Sequence, residues 1–586
     1  MEIKRYLFLF TVGPVHSFIE QARKLRDLYA GSRMLIDLTE SGIKTVLSYG
    51  NARIIFPYFK VDDKEVNFPN RFVAEIETED IQAIGRAAEE TVRERFIHML
   101  PKSLKNSPDR AVYEKQLQDY LQIYWSAVEY DGVHYKETYE ELESLMGGVK
   151  NVRYFSQNKN APGAEVKNCS LCGMRLAVED ALIDKQKKNY QLKKGEHLCA
   201  LCAAKRQRQQ VENGSFPSIA TVSGYHWISE LKGKAGGEKR WAEYCKLFDG
   251  YFSDEYIYPE NITLQAIKKE PFSQKHKEIE RTNRELKAVM KDTVPLRKYY
   301  ALVAFDGDSM GKWLSGTFFK EGTDFFKLQR NLSQALGDYA RWVKGHLTRS
   351  DKPREDQQPG VVIYAGGEDF LGMIPLEDLF SVLKVLREKF REIVNDRLQD
   401  SAVQELSFSA GVCIAHYKAP LDLVFEEAKK MESAAKDFRE IKNAVAFSLL
   451  KRSGEIHQAI LPWKDEEGHY LIDTLGAISQ SFAANDFSDA FLRNLSAEMR
   501  EFYNPGDFDM REQQELFISE SSHFIARACL EADAGKRREK ISRMQARIAG
   551  LYRVVANTAC KQPAKRFEYY MMALSIAEFL GREPVE

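Results

Sequence analysis

A chain of 586 residues is too long for one hydrophobic core, so three or four domains are expected. Its 44% hydrophobic and 29% charged residues are ordinary for a globular protein, and no run of eighteen apolar residues offers a membrane span; a cytoplasmic protein without membrane contact is expected. With 85 basic against 86 acidic residues the net charge is −1, which excludes gripping nucleic acid through an overall basic surplus; such contact must be local or shared with partner subunits.

The opening Met1–Val12 reads as a strand rather than a signal peptide, because Gly13-Pro14 follows and no small-residue cleavage site appears. A helix comes next, in which Phe18, Ala22, Leu25 and Leu28-Tyr29 recur at helical spacing and face a core. His16 is read as a loop residue rather than a catalytic base, and Phe68-Pro69-Asn70-Arg71-Phe72 closes a loop. Residues 1–150 form a first palm-like domain whose strand ends in Val12-Gly13-Pro14, without a carboxylate, and which is therefore catalytically silent.

Residues 151–285 form a second unit, with Asn158–Gly163 as the linker into it and Lys268–Lys291 as a charged helical stretch leaving it. Cys169-Ser170-Leu171-Cys172 and Cys199-Ala200-Leu201-Cys202 are two matched pairs with 26 residues between them. Each pair offers two thiolates to one ion and backbone amides offset their charge. Cys169, Cys172, Cys199 and Cys202 are therefore the ligands of a closed, structural Zn2+ site. Two matched pairs outside a thioredoxin-like setting argue against a redox dithiol. The following Lys205-Arg206-Gln207-Arg208 reads as a solvated helix face, and Cys245, Cys413, Cys529 and Cys560 as buried free thiols.

Residues 286–455 carry the most informative pattern. The apolar run Tyr299–Phe305 reads as a buried strand and stops at Asp306-Gly307-Asp308-Ser309-Met310-Gly311-Lys312. After a polar loop, Arg349–Gly360, two apolar runs flank Tyr364-Ala365-Gly366-Gly367-Glu368-Asp369, a β-hairpin whose tip is expected at Gly366-Gly367. Leu406–Ala415 reads as a further strand and Leu421 onward, towards Ala435-Lys436, as a helix. That order suits a ferredoxin-like palm. Adjacent carboxylates repel each other unless a cation joins them. A carboxylate ending a strand beside a carboxylate-bearing hairpin is the layout of palm-type nucleotidyl transferases, in which two ions roughly 3.5–4 Å apart steady the attacking and leaving oxygens. The hairpin alone could be an acidic turn; Asp306 at a strand end favours the palm. Residues 456–586 read as helical, with Phe482, Phe487, Phe491, Leu492, Phe524, Ile525, Ile548, Leu551 and Tyr552 as core stripes. The fold class expected is an α+β multidomain chain: two ferredoxin-like palms, a four-cysteine zinc module and a C-terminal helical bundle.

Taken together these segments resemble the large subunit of type III CRISPR effector complexes, particularly the Cmr-type (type III-B) version. The resemblance rests on Gly13-Pro14-Val15-His16-Ser17-Phe18-Ile19, Arg23, Arg26–Ser32, the Phe68–Phe72 segment, the paired cysteines, Asp306–Gly311 and Gly366-Gly367-Glu368-Asp369. Two departures stand out: Glu368 occupies a position where the family has Asp, and none of the 11 histidines is followed by Asp, so no HD nuclease activity is expected. The resemblance implies a nucleotidyltransferase, switched on by target RNA, that joins ATP into cyclic oligoadenylate second messengers. It implies Mg2+ or Mn2+ on Asp306 and Glu368, with Asp369 as ligand or activator of the attacking hydroxyl, and nucleotide contacts at Gly307, Asp308, Ser309, Gly366, Gly367 and Lys436. Asp308 has a helix cap as its plainer role, and Lys436 a surface position. Guide CRISPR RNA, target RNA and other Cmr-type subunits are the implied partners. Two alternatives stay open: conjugation of AMP from ATP to S-adenosylmethionine, or a non-catalytic scaffold.

Overall fold

The computed structural model describes residues 2–59, 68–152, 167–179, 196–208, 217–291, 293–348, 350, 353–488, 490–502 and 509–582. The expected linker at 158–163, parts of the loop at 349–360 and the side chain of His16 lie outside the described residues.

The first sheet contains β1 (Lys4–Gly13), β2 (Ala52–Phe56), β3 (Arg71–Thr78) and β4 (Gln122–Glu129), in the order β2-β3-β1-β4 with every pair antiparallel. Central β1 is a continuous apolar run because both its faces are covered. Phe8, Phe10 and Val12 enter a core with helices Leu25–Ser48 and Ile81–His98, while Leu7 and Leu9 meet Tyr135, Tyr139, Leu142 and Met146 of helix Tyr135–Asn151. The helix expected after β1 is interrupted: His16–Glu20 ends before Leu25–Ser48 begins, although Phe18, Ala22, Leu25 and Leu28 are all buried as their spacing predicted.

The second sheet comprises β5 (Tyr299–Gly307), β8 (Val361–Gly366), β9 (Asp369–Pro375), β10 (Phe408–His416), β11 (Ala444–Leu450) and β12 (Ile456–Pro462); β6 (Leu347–Thr348) and β7 (Gln358–Pro359) form a separate short pair. Its order is β12-β11-β10-β5-β9-β8. The four strands β8-β9-β5-β10 repeat the first sheet's arrangement, second-third-first-fourth, again all antiparallel. Strand β12, within the stretch expected to be helical, instead pairs antiparallel with β11 at the sheet edge. Alternation along β5 divides the molecule: Tyr300, Leu302 and Ala304 pack towards the first sheet and the cysteine segment, whereas Ala301, Val303 and Phe305 pack under helices Phe325–His346 and Leu379–Phe390. Helix Leu421–Phe438 presses on β10 at Gly411, where a Cβ would come 2.2 Å from both the Ala428 carbonyl oxygen and the Glu432 amide nitrogen. Only glycine permits that approach, since backbone cannot yield as a side chain can.

The C-terminal helices Leu471–Ala483, Phe491–Phe502, Gln514–Ala528, Ala534–Asn557 and Arg566–Arg582 share the larger core with the second sheet. Their aromatic stripe is core, as read from sequence: Phe517 and Tyr552 stack with centroids 4.3 Å apart, and both rings lie edge-on to Tyr570. The chain is thus the α+β multidomain protein expected, with a palm, a four-cysteine cluster and a helical C-terminus. Among the described residues no helix is long and apolar enough to cross a membrane.

The basic stretch after the second cysteine pair is not a solvated face. Lys205 and Arg206 are 1% and 0% exposed. Lys205 donates to the carbonyls of Phe18 and Gln21, and Arg206 forks onto Asp27 (Nε–Oδ1 and Nη2–Oδ2, both 2.8 Å) and onto Glu196 (2.8 and 3.1 Å). Two carboxylates on one guanidinium latch the cysteine segment to helix Leu25–Ser48. Arg206→Met leaves both carboxylates buried without a cation, so unfolding free energy is expected to fall by about 3–5 kcal/mol in denaturant melts. An unchanged midpoint would mean that water or another group takes the guanidinium's place.

Candidate functional site

The hairpin β8–β9 turns one residue later than the glycine pair suggested. Gly366 still pairs with Asp369, so the two-residue turn is Gly367-Glu368, with φ +62° at Gly367. Gly366 has a separate duty: a Cβ there would come 2.7 Å from the Tyr364 hydroxyl oxygen and 2.9 Å from its ring. The turn sets Glu368 against the end of β5, where a Cβ on Gly307 would come 2.8 Å from the Cβ of Glu368. Glycine at 307 therefore lets the hairpin close on Asp306's strand.

Asp306, next to last in β5, lies opposite Ser409 of β10 and is bonded to Lys436 from helix Leu421–Phe438. Lys436 also stands 3.3 Å from Glu432, which accepts a 2.7 Å bond from Lys429. Burial resists charge on Asp306, but its hydrogen bond with Asp369 and the nearby Lys436 prevail and hold it below the usual carboxylate range. Burial followed by the charge of Asp306 pushes Glu368 up to about 7, and burial with the neighbouring carboxylates raises Asp369 well above its ordinary value. Asp306 and Asp369 share a hydrogen bond and Glu368 lies within electrostatic range of Asp306, although the three do not bring their oxygens as close together as the groups described below. As hard oxygen donors they are the residue types that a Mg2+- or Mn2+-type ion takes.

The structure gives Asp308 other work than capping a helix. Its carboxylate is 4% exposed and accepts from Ser407 Oγ (2.5 Å), Ser409 Oγ (2.8 Å) and the Asn443 amide (3.1 Å), tying β5 to β10 and to the turn before β11. The residue that starts helix Met310–Leu314 is Ser309, in the left-handed region at φ +57° and with no side-chain cap bond. A non-glycine residue there is strained backbone at the edge of the site. The helix is only five residues long, so its dipole adds little, and the Asp308 amide is already donated to the Ser407 carbonyl at 2.8 Å, which leaves the amides of Ser309 and Met310 for an anion.

Lys436 is no plain surface lysine: its side chain is 23% exposed and spans Asp306 and Glu432. Glu432, Lys429 and Gly411 had no place in the sequence-based list, although the i, i+3 and i, i+4 spacing of Lys429, Glu432 and Lys436 on one helix was visible. Arg71 was also missed as a neighbour of this site. It opens β3, binds Glu143, which Tyr139 also donates to at 2.6 Å, and places its charge within range of Glu368. No local pattern connects positions 71 and 368; the packing of the two sheets does.

On the other side of helix Leu25–Ser48, the sulfurs of Cys169, Cys172, Cys199 and Cys202 all lie within 4.8 Å of one another, with Cys172 and Cys199 3.8 Å apart. Zinc–sulfur bonds of about 2.3 Å in a tetrahedron put sulfurs about 3.8 Å apart, so the four thiols fit zinc. Gly173 at φ +65° turns the first knuckle, where its amide donates to Cys169 O at 2.8 Å. The hydrogen bonds among the four sulfurs divide them. Cys172 is lowered; against a raising bond from Cys172, those from Cys199 and Cys202 lower Cys169. Cys199 and Cys202 are raised well above their ordinary values, with burial adding to the rise. Of the remaining cysteines, Cys413 and Cys529 are buried as expected, but Cys245 and Cys560 are only half-buried. Asp465, Glu467 and His469 also approach within 4.8 Å, on an exposed turn where Asp465 is already bonded to the amides of Glu467 and His469.

Residues 299–446 match the family described as Cas10/Cmr2, second palm domain, and residues 7–101 match that described as CRISPR-associated protein Cmr2, N-terminal. The CRISPR system Cmr subunit Cmr2 of Pyrococcus furiosus is 22% identical over 558 residues, covering 78% of this chain. The chain spans 63% of that relative's length. Similar solved structures include the type III-B Cmr-beta complex bound to cognate target RNA (TM-score 0.61, 15% identity, 90% of this chain and 79% of that one). Its apo state gives a TM-score of 0.62 at 15% identity, over 91% and 78% of the two chains. At that identity the likeness is one of fold.

Proposed function

We infer that this chain, a large-subunit protein of the Cas10/Cmr2 kind, is the nucleotide-transferring member of an RNA-guided type III-B effector complex, with guide RNA, target RNA and Cmr-type subunits as partners. The observation that carries the inference is Asp306 near the end of β5, paired with Lys436 and hydrogen-bonded to Asp369 of the adjoining hairpin, with Glu368 within electrostatic range. The reaction that suits them is the joining of ATP molecules: a ribose 3′ oxygen attacks an α-phosphorus, a 3′–5′ phosphodiester forms, and pyrophosphate leaves.

Asp306 and Glu368 would hold the divalent ion, which when bound supplies positive charge to the transferring phosphate. Asp369, hydrogen-bonded to Asp306, would be a further ligand of that ion or, once the cation's charge keeps it ionised, the acceptor of the attacking hydroxyl's proton. Gly367, where a Cβ would meet nothing within 4 Å, leaves the rim open where the nucleotide would approach, while Gly307 and Gly366 let the hairpin pack on β5 and on Tyr364; the amides of Ser309 and Met310 would be offered to its phosphates. Lys436 offers its charge to the same anion. Asp308 acts one step removed, by fixing the strand ends that aim these groups. The first sheet has no carboxylate at the matching place and is read as silent. The four cysteines hold structural zinc.

Product analysis tests this. The complex reconstituted with guide and target RNA, ATP, Mg2+ and S-adenosylmethionine is expected to give oligoadenylates by mass spectrometry, without need of the methionine cofactor. A product requiring both substrates would replace oligoadenylate by an adenylyl conjugate. No nucleotide product from the assembled complex would reduce the chain to a scaffold.

A further inference from the structure

Lys436 is shared between two anions. Its ammonium is bonded to Asp306 and lies 3.3 Å from Glu432 Oε1, while the other oxygen of Glu432 accepts from Lys429 at 2.7 Å. Glu432 is 6% exposed, so its charge is sustained by these two lysines of its own helix. Gly411 makes the arrangement possible, because the helix lies on β10 closely enough for Lys436 to reach the end of β5. A divalent cation on Asp306 and the ammonium of Lys436 would seek the same carboxylate, and two cations cannot share it without strong repulsion.

We propose that Lys436 is an exchangeable counter-ion of Asp306, and that Glu432 is the positioning residue that keeps it at the site when a divalent cation takes the carboxylate. Turned off Asp306 but tethered by Glu432, the ammonium is presented to the anionic phosphates that arrive with the cation. Metal and nucleotide uptake are thereby coupled through one side chain. The proposal rests on the carboxylates binding a divalent ion, as inferred above.

The test uses the zinc-loaded full chain and Mn2+ alone, followed by paramagnetic resonance or calorimetry, with Asp306→Asn as the reference lacking the site. Losing a hydrogen bond between charged groups is expected to let Lys436→Gln bind Mn2+ about tenfold more tightly than the wild type, yet bind ATP in the presence of Mn2+ more weakly. Glu432→Gln is expected to weaken Mn2+, because Lys436 then keeps Asp306 as its hydrogen-bonded carboxylate and nothing on its own helix draws it away. In Mn2+ affinity the double variant should match Lys436→Gln, since Glu432 acts through that lysine; a merely structural role for Glu432 would instead subtract its loss from the gain made at Lys436. Mn2+ binding by Lys436→Gln no tighter than by the wild type, with Asp306→Asn silent, overturns the exchange while sparing the metal site. Failure of every variant and of the wild type to take up Mn2+ beyond Asp306→Asn removes the metal site and the exchange together.

Discussion

Asp306→Asn is expected to cut nucleotide product by about 10³-fold or more in the assembled complex, a loss of about 4 kcal/mol of transition-state stabilisation. The substitution is nearly isosteric and leaves the backbone pairing with Ser409 in place, so circular dichroism, subunit assembly and RNA binding should not change. What it removes is a charge. Asp306 is the carboxylate of the three that the surroundings keep ionised, by way of Asp369 and Lys436, whereas Glu368 and Asp369 are pushed towards their protonated forms. A neutral amide oxygen holds a hard cation far more weakly than a carboxylate does, and it releases Lys436 to Glu432. Full activity in this variant would move the chemistry away from β5. Loss of assembly would make Asp306 structural.

Cys202→Ser, or stripping of the wild type with a strong chelator, is expected to unfold the cysteine segment. Structural zinc contributes on the order of 10 kcal/mol or more of apparent binding free energy at neutral pH, and that energy holds the fold. Cys199 and Cys202 are 0% exposed at the start of helix Ala200–Gln207, so removing the ion leaves four thiols facing each other with nothing between them. The helix carries Lys205 and Arg206, so its loss also removes the bonds to Phe18, Gln21 and Asp27. One zinc per chain by atomic emission should fall to none, and protease should cut within the segment. A zinc-free variant with the wild-type melting curve would show that packing alone suffices.

Local chemistry was legible in the sequence where the pattern is short. The two CxxC pairs, the strand ending at Asp306, the glycine hairpin and the aromatic stripes of the C-terminal helices each signal through neighbours a few positions away, and each is found in the structure. The turn itself was misplaced by one residue, because two glycines in a row leave the register open until cross-strand pairing chooses it. Lys205-Arg206 was misread because composition cannot see Asp27, which is far away in the chain and buried beside it. β12 was missed because it follows β11 at an exposed sheet edge, where Ile456 and its neighbours are half-polar. Of the site, the carboxylates could be read but not their custody: Glu432 depends on the depth at which Gly411 seats its helix, and Arg71 on how two distant sheets meet.

The two sheets share more than strand order. In each, the first strand ends in a glycine set opposite the first residue of the fourth: Gly13 faces Gln122, and Gly307 faces Phe408. By that count Val12 stands where Asp306 stands, buried and uncharged. A pair of identical halves would hold two equal centres, and either could serve as giver or taker. In this chain the matching place holds a carboxylate in one half and a valine in the other, so the two halves are not interchangeable and their order along the polypeptide sets a direction. Changes at Val12 leave the three carboxylates untouched, whereas Arg71, whose charge reaches Glu368, ties this half to the other's site.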